Sequence, residues 1–482
     1  MRFAERALQV HEATRCVTTC LPLPLHPWKR VVFAQFHDYI PGSSIHEVYA
    51  EAKPELAAIA KNALDSSAAE LTEKPGQRAL FNPLPHPRIH RDEEFGPVVL
   101  PPLSGAPVKD LEAAVPDSVS VSKAAISNAR VSAKFDSSGR LVAMDVDGRC
   151  VPFRSPANEF FLIPDHPHSF DAWEIDRQAF SLGKADLRKA SVTVESSGPD
   201  RGTVSFHRQL GKKSSVTVKY SLASGSSALG IEYDLDWQEE QMLLKAVFPT
   251  AYTGRDARFG APFGSVKRPQ TGGTTAAEAM WEVPASRWAV VSDDSESEGF
   301  FIVTEAKYGF SCRDGALGLS LVRSARISSE DRGFVQGSHP EPIRRTLAPH
   351  VLSDIGRHRI AISVGRFDPA APRAEHPAAL ADLLFTLPVE YSGGAVDCGL
   401  LGLSGGDSLQ PAWAVPAGPG KWVLRLHETL GRSGEVTIHL KKGWKTRQVT
   451  LSGKPVKQKT RGNRISFSAY KVVSVEISSK NS

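Results

Sequence analysis

The hydrophobic pattern of this 482-residue chain changes its period once, near residue 72. Before that point apolar side chains recur at helical spacing. In IHEVYAEAKPELAAIAKNAL, Ile45, Val48, Tyr49, Ala52, Leu56, Ile59 and Ala63 share one face, which predicts an amphipathic helix that Pro54 should kink or restart. HPWKRVVFAQF gathers Trp28, Val31, Val32, Ala34, Gln35 and Phe36 so that the larger apolar side chains lie near one face of a shorter helix. The opening MRFAERALQVHEATR is also amphipathic and lacks the apolar centre of a secretion signal. Helices this few cannot enclose a large core, so they are expected to cover another surface.

Beyond LTEKPGQRA the period becomes two. VSAKFDSSGRLVAMDVDGR reads as a hairpin turning at Ser-Ser-Gly, and TVKYSLASGSSALGIEYDLDW as another. Short strands separated by Gly, Ser and Asp continue to the C-terminus, which predicts large antiparallel sandwiches. EYSGGAVDCG, after the Pro- and Ala-rich FDPAAPRAEHPAALADLL, marks a second boundary, and the strands behind it read as a small separate sandwich. The expected chain is mainly β: a helical bundle segment over 1–74, a linking β segment over 75–120, a large β-sandwich over 121–385 and a small C-terminal β-sandwich over 386–482.

Composition adds exclusions. With 41% hydrophobic and 23% charged residues the chain is globular, neither disordered nor membrane-spanning. Its net charge of +5, from 58 basic and 53 acidic residues, is spread along the chain and gives no argument for nucleic acid. The basic run KKGWKTRQVTLSGKPVKQKTR alternates with Val, Leu and Thr like a solvated strand face. Cys16, Cys20, Cys150, Cys312 and Cys398 form no paired framework, which favours a reducing, cytoplasmic compartment. Cys16 and Cys20 have no second pair with which to build a structural zinc site.

Candidate chemistry is sparse. The fifteen histidines contain no H-E-x-x-H and no Cys/His cluster, and neither G-x-S-x-G nor a strand-to-helix glycine loop occurs. His90-Arg91-Asp92 has the H-x-D form but no neighbouring ligand, so chance explains it best. In QFHDYIPGSS, His37 and Asp38 arrive where a helix stops, Pro41-Gly42 breaks the chain, and Ser44 opens a new helix with Glu47 completing a capping box. Such a turn suits a pair of ligands, and equally any helix corner. DHPHSFDAWEID packs His166, His168, Asp171, Trp173, Glu174 and Asp176 together. Composition favours a polar loop whose Trp anchors it to a sheet; a sugar-contacting loop is the second reading.

Taken in order, several segments resemble one family. QFHDYIPGSSIHEVY is similar to the motif around the second zinc-ligand histidine of the α-mannosidases of glycoside hydrolase family 38. LFNPLPHPR, ISNARVSAKFDSSGRLVAMDVDGR, FDAWEID, RFGAPFGSVKRP, EVPASRWAVVSD, EAKYGFSCRDGALGLSLVRSAR and VLRLHE resemble its later motifs in family order. The resemblance implies a galactose-mutarotase-like supersandwich for the β region. It also implies a retaining α-mannosidase that holds one zinc ion with two His and two Asp, one Asp being the nucleophile. By position His37 is a zinc ligand and Asp38 a substrate-binding carboxylate, with Asp171 and Trp173 as further substrate-binding candidates.

The family's upstream α/β domain, carrying the H-x-D ligand pair and the nucleophile, has no counterpart in this sequence. The resemblance therefore implies the C-terminal portion of such an enzyme, with no catalytic residue of its own, no activity by itself and no tight zinc binding by this chain alone. Its implied partners are an α-mannoside glycan and a separate N-terminal α/β mannosidase chain. A non-catalytic carbohydrate-binding module and an inactive gene remnant are the alternatives.

Overall fold

A computed structural model describes residues 1–482 except 41, 43, 45, 74, 116, 169–171, 327–351, 457–461 and 480–482. Three helices open the chain: α1 (Arg2–Val17), α2 (Leu25–Phe33) and α3 (His46–Leu71). Ala4, Ala7 and Leu8 of α1, Val31 of α2, and Ala60 and Ala63 of α3 pack into one small cluster. α3 runs unbroken through Pro54, where the sequence suggests a kink or restart. Packing against α1 offsets the hydrogen bond that proline removes.

The other face of α1 completes a second core. Val10, Ala13 and Cys16 join Leu71, Phe81, Leu103 and the C-terminal residues Trp422, Leu424, Ile438 and Ile477 in one buried cluster. The helices therefore cover a sheet surface, as their short amphipathic pattern requires. That surface belongs to two facing antiparallel sheets. One contains Leu400–Ser404, Gly434–Leu440 and Arg464–Phe467, and the other Leu409–Gly418, Lys421–Glu428, Trp444–Val449 and Val472–Ser479. Strand Arg78–Asn82 pairs with Val389–Ser392, closing a contact across more than half of the chain.

The largest core lies between a nine-stranded and a six-stranded antiparallel sheet, with a five-stranded sheet against them. Phe206, Tyr220, Tyr233, Phe300 and Ile362 face Phe160, Leu244, Phe248, Phe310 and Leu319 across it. Both expected hairpins are present: Val131–Phe135 pairs with Leu141–Val146, and Ser214–Ala223 with Leu229–Trp237. In the first, the Asp136 carboxylate accepts the N–H groups of Ser138 and Arg140, and Gly139 takes φ +78°. That left-handed turn is open to glycine at little cost. Among the described residues no helix is long and apolar enough to cross a membrane.

Candidate functional site

The His37–Asp38 turn is coiled by short-range bonds. α2 ends at Phe33, after which the N–H groups of Gln35, Phe36, Tyr39 and Ile40 donate to carbonyls three or four residues back. Gly42 leaves the turn at φ +80°. α3 braces it from behind: the Tyr49 hydroxyl donates to the Asp38 carbonyl at 2.9 Å and accepts the Ser44 N–H at 3.0 Å. Arg30 of α2 forms a two-pronged bond with Glu55 of α3, both arms at 2.6 Å, and its guanidinium lies 5.1 Å from the centre of the Phe33 ring. Helix, turn and helix are thus fastened at both ends of the corner.

On this corner the His37 side chain is 71% exposed, with Nε2 3.5 Å from Asp38 Oδ2 and its ring 4.2 Å from that of Phe36. The ring is presented to solvent beside a carboxylate. Around it Val32, Phe33, Phe36 and Ile40 also remain exposed, and of the apolar face read from the sequence only Val31 and Ala34 are buried.

Zinc sites use three or four protein donors. Among the described residues no group of three or more His, Cys, Asp or Glu side chains is placed to hold a metal. His37 and Asp38 alone do not fit a zinc site. The H-x-D at His90 is structural: Asp92 accepts the N–H groups of Glu94 and Phe95 and pairs with Arg78 at 2.7 Å, fastening a hairpin. Arg78 and those N–H groups hold the Asp92 carboxyl down at about 2.

Of the second candidate segment, residues 175–180 lie against the face of the six-stranded sheet opposite the main core, where Ile163, Ala179 and Leu243 cluster with Phe161, Ile175 and Phe180. Buried Asp165 binds Arg323 through two bonds, Nε to Oδ2 at 2.7 Å and Nη2 to Oδ1 at 3.1 Å. Arg323 also donates to the carbonyls of Ala172, at 3.3 Å, and Glu174. Trp173 stands between those carbonyls and is 63% exposed. These bonds anchor the backbone on both sides of Trp173. Asp171 lies outside the described residues.

Residues that sequence reasoning passed over act here through the backbone. Arg323 lies in the segment LSLVRSAR, but its partners are main-chain carbonyls that no side-chain pattern encodes. Trp281 donates its indole N–H to the carbonyl of Ile175 at 3.1 Å. Beneath, Lys245 bonds Glu282 at 2.5 Å and Ser320 at 3.0 Å, and burial pushes its ammonium below the usual lysine range.

Residues 24–72 match the alpha mannosidase middle domain, which includes the His37 turn. Residues 126–328 match the glycosyl hydrolases family 38 C-terminal domain, which includes Trp173, Trp281 and Arg323. Alpha-mannosidase 2C1 of Homo sapiens is 26% identical over 366 residues, covering 70% of this chain and 33% of that protein. Alpha-mannosidase G of Dictyostelium discoideum is 28% identical over 218 residues, covering 44% of this chain and 19% of that one. The chain thus spans about a third or less of the length of these curated relatives. The crystal structure of an alpha-mannosidase from Enterococcus faecalis V583 shares the fold, with a TM-score of 0.72 at 11% identity over 99% of this chain and 67% of that one. The two matched segments make the chain a member of glycoside hydrolase family 38, of which it carries middle-domain and C-terminal segments.

Proposed function

We propose that the chain serves the hydrolysis of terminal α-mannosyl residues as the part of a retaining α-mannosidase that does not carry the nucleophile. The observation behind this reading is the exposed His37–Asp38 pair on a turn braced by Tyr49, inside the middle-domain match. Retaining hydrolysis requires two carboxyl groups about 5–5.5 Å apart across the scissile bond. Asp38, adjacent to a histidine and assigned to hydroxyl binding, fills neither role. The family is zinc-dependent, and His37 is the ligand this chain would offer. The remaining ligands and the nucleophile would come from a separate α/β mannosidase chain, docked over the apolar side chains left exposed around the turn. The five unpaired cysteines are compatible with assembly in the cytoplasm.

The experiment is hydrolysis of an aryl α-mannoside with added zinc, by the purified chain alone and mixed with a separately expressed family 38 α/β domain. Activity only in the mixture, lost in His37→Ala, is the expected result. Activity of the chain alone, or a mixture indifferent to His37→Ala, overturns the assignment. A second reading, a carbohydrate-binding module without chemistry, draws on the exposed Trp173 ring, which we also propose as substrate-binding together with Asp171.

A further inference from the structure

We propose that Arg6 holds a monatomic, monovalent anion of the halide class, chloride in the first instance, in a recess between α1, the end of helix Pro377–Phe385 and strand Leu409–Gly418. The site uses neither His37 nor Asp38 and stands apart from the reading above.

Arg6 lies on α1 with its side chain 6% exposed. Its guanidinium is engaged at one end only: Nη1 donates to the Thr386 hydroxyl and lies 3.6 Å from Asp382 Oδ1. Nε and Nη2, the side-on fork of the group, are buried without a hydrogen-bond partner. Two parallel N–H groups on a fixed positive plane are the arginine edge best suited to an anion. Leaving charged donors buried and unmet costs more than leaving neutral ones so.

Space for a ligand adjoins this side chain. Arg6 lines a recess of about 20 Å³ together with Gln9, Leu84, Asp382, Thr386 and Trp413. That volume admits one water or one monatomic ion, and is too small for a phosphate. Thr386 accepts from Arg6 and so keeps its own proton to donate, and Gln9 carries amide donors.

Charge decides between water and an anion. Asp382 is the carboxylate in the wall, and it is shared: Arg287, half-buried, bonds it as well. Arg88 adds a third guanidinium, spent on the carbonyls of Leu383, at 3.1 Å, and Thr386, and among the described residues no carboxylate pairs with it. Three guanidinium groups therefore meet one carboxylate, while the neighbouring Arg2 and Glu5 neutralise each other at 2.6 Å. Burial, and after it the repulsion of Arg287, push the Arg6 guanidinium down to about 10, and Glu305 is the weakest of the charges acting on it. A water meets the fork but leaves that repulsion as it is; an anion offsets it where the dielectric is low. Asp382 opposes the anion, yet its sharing between two guanidinium groups leaves the local sum positive. Bound there, the anion fastens α1 to the helix and strand that face it.

The test is thermal unfolding of the whole chain at constant ionic strength, with sodium gluconate replaced stepwise by sodium chloride or sodium bromide, together with bromide anomalous scattering from crystals grown in sodium bromide. The melting temperature is expected to rise saturably with either halide, by about 2–4 °C, and a bromide peak to lie within reach of Arg6 Nε and Nη2. Arg6→Lys keeps the charge and removes the fork, and should abolish the halide response; Thr386→Val should weaken halide binding severalfold. A melting temperature indifferent to halide, water density alone in the recess, a bromide peak without a halide-dependent melting temperature, or a full response in Arg6→Lys each overturns the site. The first three outcomes are read on the parent chain, so a variant that fails to fold does not shelter the proposal.

Discussion

Trp28 of α2 packs against Trp413 of the C-terminal strand Leu409–Gly418, with ring centroids 4.9 Å apart and planes tilted by 48°. The contact ties the helix leading into the His37 turn to the C-terminal sandwich. Glu12 of α1 sits under it and accepts the Trp28 indole N–H at 3.1 Å. An aromatic pair of this kind contributes about 0.5–1.5 kcal/mol beyond the area it buries. A double-mutant cycle of Trp28→Leu and Trp413→Leu, read by urea unfolding, should return a coupling energy in that range. Additive single effects would show that the two rings merely neighbour one another.

The same junction gives stability a maximum in pH. Burial pushes the Glu12 carboxyl up to about 7, the Trp28 N–H opposing only in part. Its contribution is complete below the ordinary value of 4.5 and is lost as pH rises through 7. Nearby, His86, His376 and His427 are held neutral, mainly by burial, at about 4, 3 and 4. Their contribution is complete above 6.5 and is lost as pH falls toward those values. Between 4.5 and 6.5 the two effects oppose, and three histidines outweigh one carboxyl. Stability measured by urea unfolding should therefore rise from pH 4.5 to about 6.5 and decline gently beyond it. Glu12→Gln should remove the decline, and His86→Gln should make the rise shallower.

Much of this architecture was legible, for reasons of sequence distance. Alternation shows which face of a strand is buried, and a turn such as Asp136 to Arg140 names its own two strands. It does not name a distant partner. Nothing local in Gly356–Phe367 indicates that it lies between Leu229–Trp237 and Gly299–Thr304, or in Arg78–Asn82 that it pairs with Val389–Ser392. The His37 turn was singled out through its motif, since a histidine after a helix is physically ambiguous. For Trp173, composition cannot distinguish an anchored ring from an anchored backbone.

A buried polar hub gives a stability prediction inside the large sandwich. Asn158 donates to the Tyr220 hydroxyl at 2.7 Å and accepts from the Tyr233 hydroxyl at 2.6 Å, while Tyr220 donates to the Gly139 carbonyl at 2.6 Å. Asn158 is also at φ +59°, where a larger branched side chain is strained. Asn158→Leu leaves the Tyr233 hydroxyl unsatisfied and should cost about 2–4 kcal/mol in urea unfolding. Adding Tyr233→Phe should recover part of that loss. A double variant less stable than the single one would place the cost in backbone strain.

The last prediction separates the turn's chemistry from its architecture. The His37 ring is largely in solvent and touches Phe36, so His37→Ala should change stability by no more than about 0.5 kcal/mol. One imidazole beside one carboxylate falls short of the donors zinc requires, so calorimetric titration of this chain alone should show no zinc binding at micromolar concentration. Tyr49→Phe removes the hydroxyl that bridges the Asp38 carbonyl and the Ser44 N–H, and leaves the ring in place. It should loosen the turn, seen as faster amide exchange at residues 36–40, while the melting temperature of the β region stays unchanged. In the reconstituted mixture His37→Ala should then abolish mannoside hydrolysis, whereas Tyr49→Phe should reduce it about 10- to 100-fold, as disturbed support of a metal ligand does. Equal losses would mean that the turn matters to assembly rather than to the orientation of its two side chains.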